Sequence, residues 1–155
     1  MKAIAIIPAR MGASRFPGKP MAKILGIPMV GHCYYRARMC PAVAATYVAT
    51  CDAEIADYVA SIGGKAIMTS PAHSRASDRT AEAMAIIDRE SGERVDVVIM
   101  IQGDEPLILP ETIGETMAHF SNPEVEIVNI MSRLRTREQF VDKNNVKVVV
   151  NHRMD

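Results

Sequence analysis

Residues 2–20 read KAIAIIPARMGASRFPGKP. Ala3 to Ile7 is apolar at every position and is closed by Pro8, so neither face of the run suits water. A short apolar run with no alternation predicts a strand buried on both faces, as in a parallel sheet. The character then reverses. Residues 8–20 carry Arg10, Arg15 and Lys19 and no acid, with glycines at 12 and 18 and prolines at 8, 17 and 20.

The same strand and helix signals alternate downstream. Residues 28–39 predict a helix that opens at Pro28 and carries Met29, Val30, Cys33 and Ala37 on one face. Residues 45–49 predict a second strand, and Asp52 is the expected cap of a helix over 53–61 that ends at Gly63-Gly64. A strand over 65–69 follows, then a helix over 79–90 opened by Ser77 or Asp78 and stopped by Gly92. Residues 95–101 are the strongest strand, and a helix runs from Pro110 and Glu111 to about 120. Two further strands are expected over 125–131 and 146–150, with a short helix near 136–141 between them.

Repeated strand–helix–strand units define an α/β fold, a mostly parallel sheet with helices on both faces and right-handed crossovers. Ligands of such sheets bind beyond the carboxyl ends of the strands. That rule selects the loops 8–20, 50–52, 70–79 and 102–106. Without an internal repeat, low-complexity tract or linker, residues 1–155 read as one nucleotide-binding α/β domain.

Charge and cysteine content narrow the function. The 18 Lys+Arg against 18 Asp+Glu give a net charge of zero, which argues against a broad grip on nucleic acid or an anionic membrane. Cys33, Cys40 and Cys51 are an odd set with no C-x-x-C spacing, so they read as free thiols in a reducing compartment. No stretch approaches the ~20 apolar residues of a membrane span. A cytoplasmic protein without membrane insertion is expected.

The loop 8–20 then reads as a phosphate cradle. Backbone N–H groups and cations at a strand's carboxyl end attract anions. Arg10 and Arg15 grip phosphate oxygens through planar forks, and Lys19 acts as a point charge. The spacing matches neither the P-loop nor the dinucleotide fingerprint. After the strongest strand comes Gln102-Gly103-Asp104-Glu105-Pro106. Mg²⁺ takes one or two carboxylates together with substrate phosphates, and Asp104, beside the flexible Gly103, is the better ligand candidate. Glu105 precedes a proline and is pushed towards an extended conformation. A cationic loop and an acidic loop on one sheet edge suit a metal-bound polyphosphate, and nucleotidyl transfer is the chemistry that fits.

At these motifs the chain resembles the sugar-acid cytidylyltransferases. The signature P-A-R-x-x-S-x-R-x-P-G-K-P is matched by Pro8, Ala9, Arg10, Ser14, Arg15, Pro17, Gly18, Lys19 and Pro20. Val48-Ala49-Thr50, Met68-Thr69 with His73, Gln102 to Pro106, and Asn145 to Val149 match further family motifs. The resemblance runs the length of the chain and implies a sandwich of the nucleotide-diphospho-sugar transferase type. It implies transfer of a cytidylyl group from CTP to the anomeric hydroxyl of a sugar acid, 3-deoxy-manno-octulosonate or a close relative, for lipopolysaccharide. Mg²⁺ would be the cofactor and a homodimer the full-length form.

The resemblance also implies roles. Arg10, Lys19 and Asp104 would carry catalysis, with Asp104 binding the metal. Pro8, Ala9, Arg10, Ser14, Arg15, Lys19 and Ser77 would bind the nucleotide. His73, Arg75, Arg79 and Gln102 would meet the substrate. An amino-Kdo or a nonulosonic acid is the alternative acceptor, and a non-catalytic nucleotide-binding module the alternative class. Where the family reads H-x-S-G-T-[DE]-R, this chain reads His73-Ser74-Arg75-Ala76-Ser77-Asp78-Arg79. Arg75 adds bulk and charge, and Ala76 disfavours positive φ, so a different loop path is expected there. Cys51 stands where the family often has Asp. Family members are longer, so a second metal carboxylate and much of the sugar pocket are expected beyond Asp155.

Overall fold

The computed structural model describes residues 1–12, 16–92 and 94–150. They divide into two compact units, Met1–Ala118 and His119–Asp155.

The first unit is built on a four-stranded sheet. Strand β1 (Ala3–Pro8) is followed by a two-stranded hairpin, β2 (Lys23–Ile24) and β3 (Ile27–Pro28), then by helix α1 (Met29–Arg38). Next come β4 (Ala45–Thr50), α2 (Ala53–Ser61), β5 (Lys65–Met68), α3 (Ala76–Ser91), β6 (Val97–Met100) and α4 (Pro110–Ala118). The sheet order is β5-β4-β1-β6 and its pairings are parallel. β1 is central, pairing Ile4 with Ala45 on one side and with Val98 on the other.

This order dictates where the helices go. From β1 the chain steps outward to β4 and then β5, and returns to lay β6 on the opposite side of β1. Right-handed crossovers in opposite directions must use opposite faces. The side chains of β1 divide accordingly. Ala5 and Ile7 pack with Val30 and Cys33 of α1, Ile55 and Val59 of α2, and Ile113 of α4. Ile4 and Ile6 pack with Ala83 and Ile87 of α3. The reversal between β1 and β6 opens a crevice at their carboxyl ends, where sheets of this kind bind ligands.

Most boundaries agree with the sequence reading, and the differences have local causes. Helix α3 begins at Ala76, ahead of the expected start, because Thr80 Oγ1 donates to the Ala76 carbonyl and Arg79 N–H to that of Arg75. Ser77 and Asp78 therefore lie within the first turn and cap nothing. Asp52 occupies the N-cap position of α2 but makes no side-chain cap. The short hairpin at 23–28 carried no sequence signal strong enough to predict it.

The second unit consists of a 3-10 turn at His119–Ser121 and helix α5 (Arg137–Val141). Thr136 and Gln139 close α5 with a reciprocal capping box. The strands expected over 125–131 and 146–150 do not form. A strand needs a neighbour to take up its backbone groups, and no described strand pairs with either segment. Ile127 is 79% exposed and Val149 is 91% exposed, so apolar sequence alone did not order them.

Gly103 marks the closest approach within the crevice. A Cβ there would stand 2.8 Å from the carbonyl oxygen of Pro8, a backbone atom that cannot swing away. Gly103→Ala is expected to lower the urea unfolding midpoint, by ~1–3 kcal/mol of stability, as overpacking does. An unchanged midpoint would mean that the 102–106 turn moves freely away from β1.

Candidate active site

The crevice is a cleft of about 300 Å³ over the ends of β1 and β6. Pro8, Ala9, Arg10 and Lys19 come from the first loop, and Gln102, Gly103 and Asp104 from the turn after β6. His73 and Arg75, from the loop before α3, and Arg79, from its first turn, close it. Nearly all the residues singled out in the sequence thus meet on one surface. Ser77 does not line the cleft, and its hydroxyl donates to Asp78 Oδ1 at 3.5 Å. Ser14 and Arg15 lie outside the described residues.

Lys19 is placed by a turn that needs glycine. Gly18 adopts φ 71, a left-handed conformation that glycine reaches without a Cβ clash, and starts the 3-10 turn Lys19–Met21. Gly18 N–H donates to the Met11 carbonyl at 3.0 Å, which closes the loop. Lys19 Nζ then reaches Asp104 Oδ2 at 2.7 Å. The two side chains are 36% and 48% exposed, so this is a solvated ion pair. Such pairs contribute only ~0–1 kcal/mol. It holds the two loops face to face, yet gives way cheaply to a ligand that offers Lys19 a phosphate and Asp104 a cation.

Arg79 is the opposite case. It is 2% exposed, and its Nη2 has no hydrogen-bond partner among the described residues. Its Nη1 donates to Thr69 Oγ1, and Thr69 in turn donates to the Thr50 carbonyl at 3.1 Å. A buried guanidinium nitrogen left without a partner is costly unless something in the cleft accepts from it. Arg79 thus borders the cleft with one guanidinium nitrogen buried and unpartnered among the described residues.

The loop before α3 is held by Glu82. Its Oε2 accepts from Ser70 N–H at 2.8 Å and lies 2.5 Å from His73 Nε2. The His73 carbonyl accepts a long bond of 3.5 Å from Arg10. Arg75 is extended at φ −104, and Ala76 is already helical. No non-glycine residue of this segment has positive φ. The segment accommodates Ala76 by starting the helix there. Pro20, Ser74, Ala76 and Gly103 also line the cleft and were not singled out as site residues. Their adjacency in sequence to Lys19, His73, Arg75 and Asp104 was the available signal.

Beneath the acidic turn, burial pushes the Cys33 thiol up to about 11, against the opposing pull of the Glu105 backbone N–H. At neutral pH it is a protonated core residue, unfit as a nucleophile. Asp104 is the carboxylate that reaches the cleft, and no group of three His, Cys, Asp or Glu side chains gathers among the described residues. One carboxylate beside a cationic loop fits a metal held mainly by substrate phosphates and water.

A doubly wound sheet with a cation–carboxylate cleft at its topological switch point is the arrangement of a nucleotide-handling α/β protein. The chain belongs to the cytidylyltransferase family, whose model matches residues 4–154. It is 43% identical over 146 residues to the 3-deoxy-manno-octulosonate cytidylyltransferase of Bradyrhizobium diazoefficiens, covering 94% of this chain and 58% of that protein. To the enzyme of the same name from Geobacter metallireducens it is 40% identical over 156 residues, covering 100% of this chain and 59% of that protein. The chain thus spans somewhat over half the length of these relatives. A solved CMP:2-keto-3-deoxy-manno-octonic acid synthetase in complex with CTP superimposes with a TM-score of 0.71 at 38% identity, over 81% of this chain and 50% of that one. A cytidylyltransferase from Leptospira borgpetersenii shares the fold at a TM-score of 0.66 and 20% identity, over 80% of this chain and 50% of that one.

The clamp by Glu82 has a pH signature. The Ser70 N–H, followed by His73, holds the Glu82 carboxyl below its ordinary value of 4.5. A lowered folded value means stability present above the ordinary value and lost as pH falls through the folded one. The stability difference between the parent chain and Glu82→Gln is therefore expected to be constant at neutral pH and to shrink below pH 4.5. Denaturant melts across acid pH check this, and a difference that grows with acid would contradict the clamp.

Proposed function

We propose that this chain supplies the nucleotide face of an enzyme that transfers a cytidylyl group from CTP to the anomeric hydroxyl of a sugar acid. The acceptor is 3-deoxy-manno-octulosonate or a close relative. The observation that carries this reading is the juxtaposition of Lys19 and Asp104 across the cleft, in a chain of the cytidylyltransferase family. The 3-deoxy-manno-octulosonate cytidylyltransferases among its relatives support the acceptor.

In the reaction the anomeric oxygen bonds to the α-phosphorus, the bond from that phosphorus to the bridging oxygen breaks, and pyrophosphate leaves. Arg10 and Lys19 bind the phosphate oxygens and stabilise the charge that builds up on the departing pyrophosphate. The family motif would add Ser14 and Arg15 to this grip. Asp104 would hold Mg²⁺, which when bound would supply further neutralisation of the phosphates. Arg79, Gln102, His73 and Arg75 border the cleft and serve the acceptor side. The acceptor's own hydroxyl is the nucleophile, so no side-chain nucleophile is needed, and its proton passes to solvent. Under this reading the reaction runs in the cytoplasm, feeds lipopolysaccharide assembly, and belongs to a homodimer.

The test is pyrophosphate release from CTP with Mg²⁺ over a panel of sugar acids. Asp104→Ala is expected to cut turnover by ~10²-fold or more, with the fold intact. Lys19→Ala is expected to weaken CTP binding by ~10- to 100-fold, the loss of one charge-assisted hydrogen bond. Near-normal turnover in the first variant would remove Asp104 from the metal site. CTP binding without release on any acid would favour a nucleotide-binding module, a reading supported by the lone carboxylate in the described cleft.

A further inference from the structure

The carboxylate of Asp52 lies where a helix cap is expected, but it does a different job. Its Oδ2 accepts the backbone N–H of Met11 at 2.8 Å, across 41 residues of sequence. Helix α2 receives no side-chain cap from it. The backbone around Asp52 is itself fixed. Its N–H donates to Thr50 Oγ1 at 3.1 Å, and its carbonyl accepts from Ala56 N–H at 3.2 Å. The Cys51 thiol also points at the carboxylate, at 3.6 Å.

Met11 is the other half of the device. Its side chain packs against the core shared by α1, α2 and β1. Its carbonyl accepts from Gly18 N–H at 3.0 Å, and Gly18 starts the turn that presents Lys19. Met11 is thus gripped by its N–H, its carbonyl and its side chain at once. The chain of contacts runs from the end of β4, through Asp52 and Met11, to Gly18 and Lys19. An acid next to an anion-binding loop ought to repel the ligand. Asp52 lies outside the cleft lining, with its carboxylate turned to the Met11 backbone donor.

We propose that Asp52 is a positioning residue for the phosphate loop, acting through the Met11 N–H to hold Lys19 against the triphosphate. The proposal rests on the phosphate role given to that loop above. It predicts a defect in binding the triphosphate moiety, whatever the base or acceptor.

The test is calorimetric binding of CTP and of inorganic tripolyphosphate to the full chain, its Asp52→Ala variant and its Asp52→Asn variant. Asp52→Ala is expected to weaken both ligands by the same factor, about tenfold or more. Asp52→Asn keeps an oxygen acceptor for the Met11 N–H and is expected to restore most of the affinity. If the parent chain binds both ligands and Asp52→Ala binds them equally well, this proposal falls and the phosphate reading stands. If the parent chain binds neither, both fall. Should Asp52→Ala fail to fold, Asp52→Asn decides, through amide hydrogen exchange at Met11. Retained protection with retained affinity supports the proposal, and lost protection with unchanged affinity overturns it.

Discussion

Strand β1 is hydrogen-bonded in parallel on both sides, to β4 and to β6. Parallel pairing places the amino ends of all three strands at one edge and their carboxyl ends at the other. Because β4 and β6 lie on opposite sides of β1, the loops leaving β1 and β6 part at that edge and leave a crevice. The apolar character of Ala3 to Ile7 follows from the same constraint, since both faces of β1 are covered by helices. The chemistry of the cleft inherits its geometry from this pairing. Arg10 and Lys19 follow β1, Asp104 follows β6, and Asp52 follows β4.

Two electrostatic regimes coexist in the cleft. Lys19 and Asp104 are solvated, so their mutual attraction is weak and exchangeable. Arg79 is buried with a donor unspent, so it is a fixed demand for an acceptor. Under the proposed function a nucleotide with its metal would answer the first, offering phosphate oxygens to Lys19 and a cation to Asp104. The net charge of zero over the chain conceals a loop at 8–20 with cations and no acid, opposite the acidic turn at Asp104 and Glu105.

Much of the sheet was legible in the sequence because its strands are short apolar runs bounded by proline, glycine or polar loops. The topological rule for ligand sites then grouped the loops at 8–20, 50–52, 70–79 and 102–106 before any contact was known, and of these 50–52 does not line the cleft. Three things were hidden. The segments 125–131 and 146–150 are apolar enough for strands, but pairing partners decide strand formation, and sequence does not display them. Asp52 is a good cap by residue type, and only the proximity of Met11, 41 residues away, diverts its carboxylate. Glu82 reads as an exposed helical acid, and its grip on Ser70 and His73 depends on how the preceding loop folds back. In each case the decisive partner is distant in sequence, or lies across a loop whose path periodicity does not encode.

The central claim is that a metal-bound triphosphate sits between the loop after β1 and the turn after β6. Replacing Mg²⁺ with paramagnetic Mn²⁺ and recording backbone amide signals with and without CTP tests it most directly. The account predicts broadening that depends on CTP, strongest at Gly103 and Asp104 and weaker at Ala9, Arg10 and Lys19. Broadening centred away from the ends of β1 and β6, or none at all with CTP present, would contradict it.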